Sequence, residues 1–113
     1  MEPFLPSSMP LDQGTVHRFA MLERAARAIA KQGRFDDSLK LVEEMFAIAP
    51  NDPGLSKSKA RFAAELIKQA AMAQKISAAT SILALVETSL DASHLSMVEK
   101  DLLARAKTDL YSL

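Results

Sequence analysis

At 113 residues the chain can bury one core built from several short elements, and its balance of 14 basic against 14 acidic residues leaves no global field to draw in nucleic acid or an anionic membrane. The absence of cysteine excludes disulfides, thiolate metal sites and a cysteine nucleophile, and it fits a reducing, cytoplasmic setting. Hydrophobic residues make up 49% and glycine occurs only three times, while alanine recurs throughout. That composition suits closely packed helices and argues against strands joined by tight turns.

The first eleven residues contain Pro3, Pro6 and Pro10, which forbid a helix and favour an extended arm. The arm has neither the basic start nor the apolar run of a signal peptide. Phe4 and Leu5 either pack back on the domain, stay disordered, or offer a short motif to a partner. Residues 12–113 are expected to form a single all-helical domain.

A first helix is predicted over residues 15–32, with Asp12 or Thr15 as its cap. Phe19, Leu22, Ala26 and Ile29 recur at the spacing of one helix face, and Arg24, Arg27 and Lys31 fall three and four apart on the opposite side as a basic stripe. Gly33 can take a positive φ without a Cβ clash and so ends this helix. A second helix follows over residues 35–49, with Phe35, Leu39, Val42 and Phe46 on its inner face. Asp36 and Asp37 meet its positive N-terminal end, and Pro50 closes it.

Asp52 before Pro53 is a start signal for a third helix reaching Lys75, because proline at the first helical position wastes no amide and the carboxylate accepts from the free ones. Leu55, Phe62, Leu66, Ala70 and Ala73 share one side of it, and Lys57, Arg61 and Lys68 another. Ile76 to Val86 is a run without charge, too short for the roughly 20 apolar residues of a membrane span, and is expected to form a central helix packed on both sides or covered by a partner chain. Leu85-Val86-Glu87 echoes Leu41-Val42-Glu43, which suggests a second, degenerate hairpin with its turn near Ser77. In the last helix Ser96 and Glu99 have the form of a capping box. Its inner face would carry Leu95, Val98, Leu102, Ala106 and Leu110; its outside would carry Glu99, Lys100, Asp101, Arg105, Lys107 and Asp109, as in a terminal capping helix. Charge alternates along the chain, the first and third helices being basic and the second and last acidic.

The residues around the glycine elbow resemble a tetratricopeptide repeat over Phe19 to Asp52: Ala26 matches the small residue of close helix contact, Gly33 the turn, Phe35 the aromatic two residues on, and Pro50 the exit proline. Ala25, Ile29, Ser38, Val42 and Met45 depart from that pattern. The resemblance implies an all-α fold of about five antiparallel helices, a tetratricopeptide-like stack of hairpins with a C-terminal capping helix, in which the first helix of each hairpin lines a shared groove. It thereby implies that Arg27, Lys31, Lys57, Arg61 and Lys68 face one groove and bind an acidic peptide or chain-terminal carboxylate of a partner protein. Small tetratricopeptide-like chaperones, which hold aggregation-prone subunits through an apolar groove, are similar in size and content. A helix, Gly-x-Phe and a second helix also resemble the start of microtubule-interacting and trafficking domains, which implies a three-helix bundle ending near Lys75.

No chemistry of catalysis emerges. His17 and His94 stand apart with no ligand-spaced partner, so no metal is expected. Gly14, Gly33 and Gly54 are each isolated, so no phosphate loop and no nucleotide cofactor is expected. The serines lack a nucleophile elbow, and Asp36-Asp37 and Glu43-Glu44 sit where helix starts and solvated faces place carboxylates. The phenylalanines and Tyr111 fall mostly at core spacing, without the basic patch that single-stranded nucleic acid requires. Met9, Met21, Met45, Met72 and Met97 either fill gaps in a core or floor an adaptable groove. The reading is a non-enzymatic interaction module or adaptor for a peptide or helix of another protein, with a homodimer left open.

Overall fold

The computed structural model describes residues 11–113, so the expected arm lies outside the description apart from Leu11. Among the described residues the fold is all-α: α1 (Gln13–Lys31), α2 (Phe35–Ala47), α3 (Pro53–Met72), α4 (Ile76–Ser89) and α5 (Met97–Tyr111), with a single 3-10 turn at Ala92–His94 before α5. Local chemistry sets the starts of the long helices. The Asp12 carboxylate accepts the Thr15 amide at 2.7 Å, so Asp12 and not Thr15 is the cap of α1. Asp52 accepts the Leu55 amide at 2.8 Å and is followed by Pro53 in the first helical position of α3.

Both hairpins turn in the same way. After α1 the Gly33 amide bonds to the Ala30 carbonyl and the Arg34 amide to that of Ile29, with Gly33 at φ 82°. After α3 the Gln74 amide bonds to Ala71 and the Lys75 amide to Ala70, with Gln74 at φ 59°. Each set closes a Schellman motif around one left-handed residue. Gln74 accepts the conformational cost that glycine avoids, and for that reason α3 ends at Met72, short of the expected Lys75. The second turn therefore spans Ala73–Lys75, and Ser77 lies inside α4. From Gly33 to Gln74, and from Phe35 to Ile76, the step is 41 residues. At that step Phe19, Ala26 and Ala30 correspond to Ala60, Ile67 and Ala71, and Ser38, Val42 and Met45 to Ala79, Leu83 and Val86, all of them buried. The two Leu-Val-Glu triplets do not stand at this spacing and are not equivalent positions.

Ion pairs and hydrogen bonds set the directions. Arg27 reaches Glu65, Ser56 reaches His94 and Arg61 reaches Glu99, each across 38 residues, so α1, α3 and α5 run parallel in one register. The Ser38 hydroxyl donates to the Ala26 carbonyl at 2.8 Å inside the first hairpin, and Glu87 meets Lys107 at 3.2 Å between α4 and the antiparallel α5. Buried side chains from all five helices form one cluster.

The central helix is α3. Ser56, Lys59, Ala60, Phe62, Ala63, Ala64, Leu66, Ile67, Ala70 and Ala71 are all buried, so that between Ser56 and Ala71 only Lys57, Arg61 and Lys68 are exposed. This corrects the expectation that Ile76 to Val86 forms a central helix packed on both sides. α4 buries only Ala78, Ala79, Ile82, Leu83 and Val86, and turns Ser77, Thr80, Ser81 and Ala84 outward, because its small polar residues lie together on one side. α5 differs from expectation as well. Glu99 is 0% exposed, since the capping box folds it back toward Ser96 and Arg61 reaches it from α3, whereas Val98 is 57% exposed. Of the methionines among the described residues only Met45 fills the core, and Tyr111 is exposed.

α2 ends at Ala47, two residues early, because Ile48 turns into the core and Ala49 takes φ 42°. The carbonyls left at that end are met by Lys59, 1% exposed, whose Nζ donates to Ile48 at 2.7 Å and to Phe46 at 3.2 Å. Burial pushes the Lys59 ammonium below its ordinary pKa, and the Asp52 carboxylate opposes that shift. Lys59→Met keeps the aliphatic stem but leaves two buried carbonyls without a donor, at a cost of roughly 1 to 3 kcal/mol. Denaturant unfolding is expected to show that loss; an unchanged midpoint and slope would contradict the clamp.

Candidate functional site

The five cations expected to line one groove are split by the fold. α1 and α3 do lie side by side, but Arg27 is committed at their joint: its guanidinium donates to Glu65 through Nε at 2.9 Å and Nη2 at 3.2 Å, lies 3.6 Å from Glu23, and stands 4.9 Å over the Phe62 ring. Those bonds, that to Glu65 first, raise its pKa. Arg61 is 2.8 Å from Glu99 on α5, and Lys68 is 3.9 Å from Asp109. Lys31 and Lys57 are exposed, with no ion pair among the described residues. Along α1, α3 and α5, Arg27, Arg61 and Lys68 thus form a seam in which each of the three finds a carboxylate on the following parallel helix. Such a seam orients the helices and leaves little net field for an acidic ligand.

Glu65 and Glu99 are the residues that sequence reasoning placed wrongly or passed over. The available signal was the shared 38-residue spacing of Arg27 to Glu65 and Arg61 to Glu99, which only becomes meaningful once the hairpin repeat is known.

Glu99 is the most strongly shifted group. Hydrogen bonds from the Ser96 hydroxyl and amide, and then from Arg61, hold its pKa at about 2 against an ordinary 4.5, although burial pushes the other way. Its folded pKa lies below its unfolded one, so its contribution to stability is complete above about 4.5 and drains away as pH falls toward 2.

Two of the clefts bear on this seam and its surroundings. One, of about 540 Å³, lies between the two hairpin turns against Arg34, Phe35, Lys75 and Ile76, and its charge is partly cancelled by the 2.8 Å pair of Arg34 and Asp37. The other, of about 490 Å³, opens between α4 and α5; its floor is Leu83, Val86, Leu90, Leu95 and Leu103, and Lys100 and Lys107 stand at its rim. Lys107 is held by Glu87, and Lys100 has no ion pair among the described residues. This cleft draws on the uncharged run of α4 but owes as much to Leu90 and Leu95, which flank the 3-10 turn, and to Leu103 of α5, all three half-buried.

No group of three or more potential metal ligands occurs among the described residues. His17 is exposed, and His94 is half-buried with Nδ1 3.1 Å from the Ser56 hydroxyl, a joint between α3 and the 3-10 turn. No helix among the described residues is long and apolar enough to cross a membrane. Compared with known proteins, the chain matches no family model, no curated protein and no solved structure.

Glu99→Gln retains the fold-back to Ser96 but removes the charge. Melting temperatures of the protein and this variant are expected to differ at neutral pH and to converge between pH 4.5 and 2. A gap that stays constant down to pH 2 would show that the carboxylate is not held as described.

Proposed function

We propose that this chain is a non-enzymatic protein-interaction module that docks an amphipathic helix of another protein in the cleft between α4 and α5. The observation that carries this reading is the row of leucines and valine on the cleft floor beside an unpaired cation at the rim. Apolar floors of this size with few polar groups recognise helical side chains spaced three, four and seven apart, and Lys100 selects an acidic residue on the flank of the incoming helix. The seam along α1, α3 and α5 favours this cleft over the groove that the tetratricopeptide resemblance implied, because three of its five cations, Arg27, Arg61 and Lys68, already have partners.

The hairpin repeat supports a stacked-hairpin reading in general. Its 41-residue step is longer than the 34 residues of a tetratricopeptide repeat, so the likeness extends to the elbow and the parallel first helices and not to the period. The chaperone reading shares this cleft and differs only in that the docked segment belongs to an aggregation-prone subunit. A cytoplasmic setting is part of the same proposal and rests on the lack of cysteine.

Leu103 is half-buried on the floor of the cleft, so Leu103→Asp should fold while placing a charge on the docking surface. Affinity capture from the native source with the protein and with this variant is expected to retain a shared partner only with the former. A segment of that partner should then bind the purified protein at least ten times more tightly than the variant, a difference of about 1.4 kcal/mol. Equal retention by both would remove the cleft from consideration.

A further inference from the structure

Hairpins stacked in this manner use one side of each first helix to receive the hairpin before it. In α3 that side holds Lys59, Phe62 and Glu65, which meet the α2 carbonyls, the Arg27 stack and the Arg27 guanidinium. The positions 41 residues earlier in α1 are Arg18, Met21 and Arg24, and no hairpin precedes them among the described residues. Met21 is 54% exposed, and Arg24, Ala25 and Ala28 beside it are exposed as well.

The sign of the charge is reversed between the two sides. Where α3 offers the Glu65 carboxylate to a cation of the preceding helix, α1 offers Arg24, with Lys31 two turns further along. Neither has an ion pair among the described residues, and Arg18 only touches Glu44 at 4.0 Å. We propose that this side of α1 is a second docking surface, which takes an acidic amphipathic helix of a partner protein. Its small apolar residues would lie on Met21, Ala25 and Ala28, and its carboxylates against Arg24 and Lys31.

Two properties of the surface select that occupant. Ala25 and Ala28 have no side chain beyond Cβ, so a helix can approach closely along them. The cations along the edge oppose a second copy of the same face, because an α1-to-α1 contact would set Arg18, Arg24 and Lys31 beside their own counterparts; carboxylates are the matching charge. α1 and α5 lie on either side of α3, so this surface is separate from the cleft between α4 and α5. With both occupied, the chain bridges two partners. The inference stands on α1 and the repeat alone and does not require the cleft to bind anything.

The test uses the whole chain and two labelled helical peptides that share an Ala/Leu seam, one flanked by Glu and the other by Lys, read by fluorescence anisotropy. The acidic peptide is expected to bind and the basic one not. The double variant Arg24→Glu/Lys31→Glu should weaken acidic-peptide binding at least tenfold, raising salt should weaken it in the unaltered protein, and Leu103→Asp should leave it unchanged. Circular dichroism and melting temperature confirm that the variants fold, which exposed positions on a helix permit. Acidic-peptide binding that is absent, that ignores the double variant, or that disappears in Leu103→Asp would overturn the assignment. So would a concentration-dependent dimer dissolved by Met21→Asp, which would place a second copy on this face.

Discussion

Alanine on several sides of α3 is the constraint from which the remaining arrangement follows. Ala60, Ala63, Ala64, Ala70 and Ala71 are buried and project nothing beyond Cβ, so neighbouring helices can come near the α3 backbone from more than one direction at once. Larger residues are kept for the gaps: Phe62 toward α1, Leu66 and Ile67 in the interior. A helix enclosed in this way cannot keep a broad polar face, and its exposed cations are confined to the strip of Lys57, Arg61 and Lys68. The order α1, α3, α5 then follows, because both outer helices run parallel to α3 and meet it at the same residue spacing.

Charge at these joints serves orientation before recognition. Arg27 with Glu65, Arg61 with Glu99, and Lys59 with the carbonyls of Phe46 and Ile48 each tie one hairpin to the next. Exposed pairs contribute little, roughly 0 to 1 kcal/mol each, but a buried charge deprived of its partner costs more, so the buried Glu99 and Lys59 penalise any other register of the stack. The two surfaces proposed for partners are therefore ones the repeat does not use internally: the cleft beside α5 and the outward side of α1. Both combine small or apolar residues with a cation lacking an internal partner.

Much of the fold was legible in the chain. The elbow at Gly33, the Asp52-Pro53 start, the Ser96 and Glu99 capping box and the paired basic helices all rest on interactions within a few residues, and local rules describe these well. The readings that failed depend on distant partners. Nothing near Lys59 in sequence indicates that two carbonyls at the end of α2 await it, and nothing near Glu99 indicates that Arg61 will cover it. Gln74 in a left-handed conformation hides the second turn, because the residue type that normally announces such a turn is missing. The uncharged run of α4 looked more buried than α3 because serine, threonine and alanine are apolar enough to resemble a core yet small enough to face water. Of the five cations assigned to a groove, the sequence placed their helices correctly side by side, but it could not reveal the carboxylates supplied by the next helix.

Native-state hydrogen exchange distinguishes a stack organised on α3 from one organised on α4. If α3 is the enclosed helix, its amides from Ala60 to Ala71 exchange only through global unfolding and are the slowest in the protein, while those of the Ile76 to Val86 segment exchange earlier through local opening. Slower exchange in Ile76 to Val86 than in Ala60 to Ala71 would contradict this account at its centre.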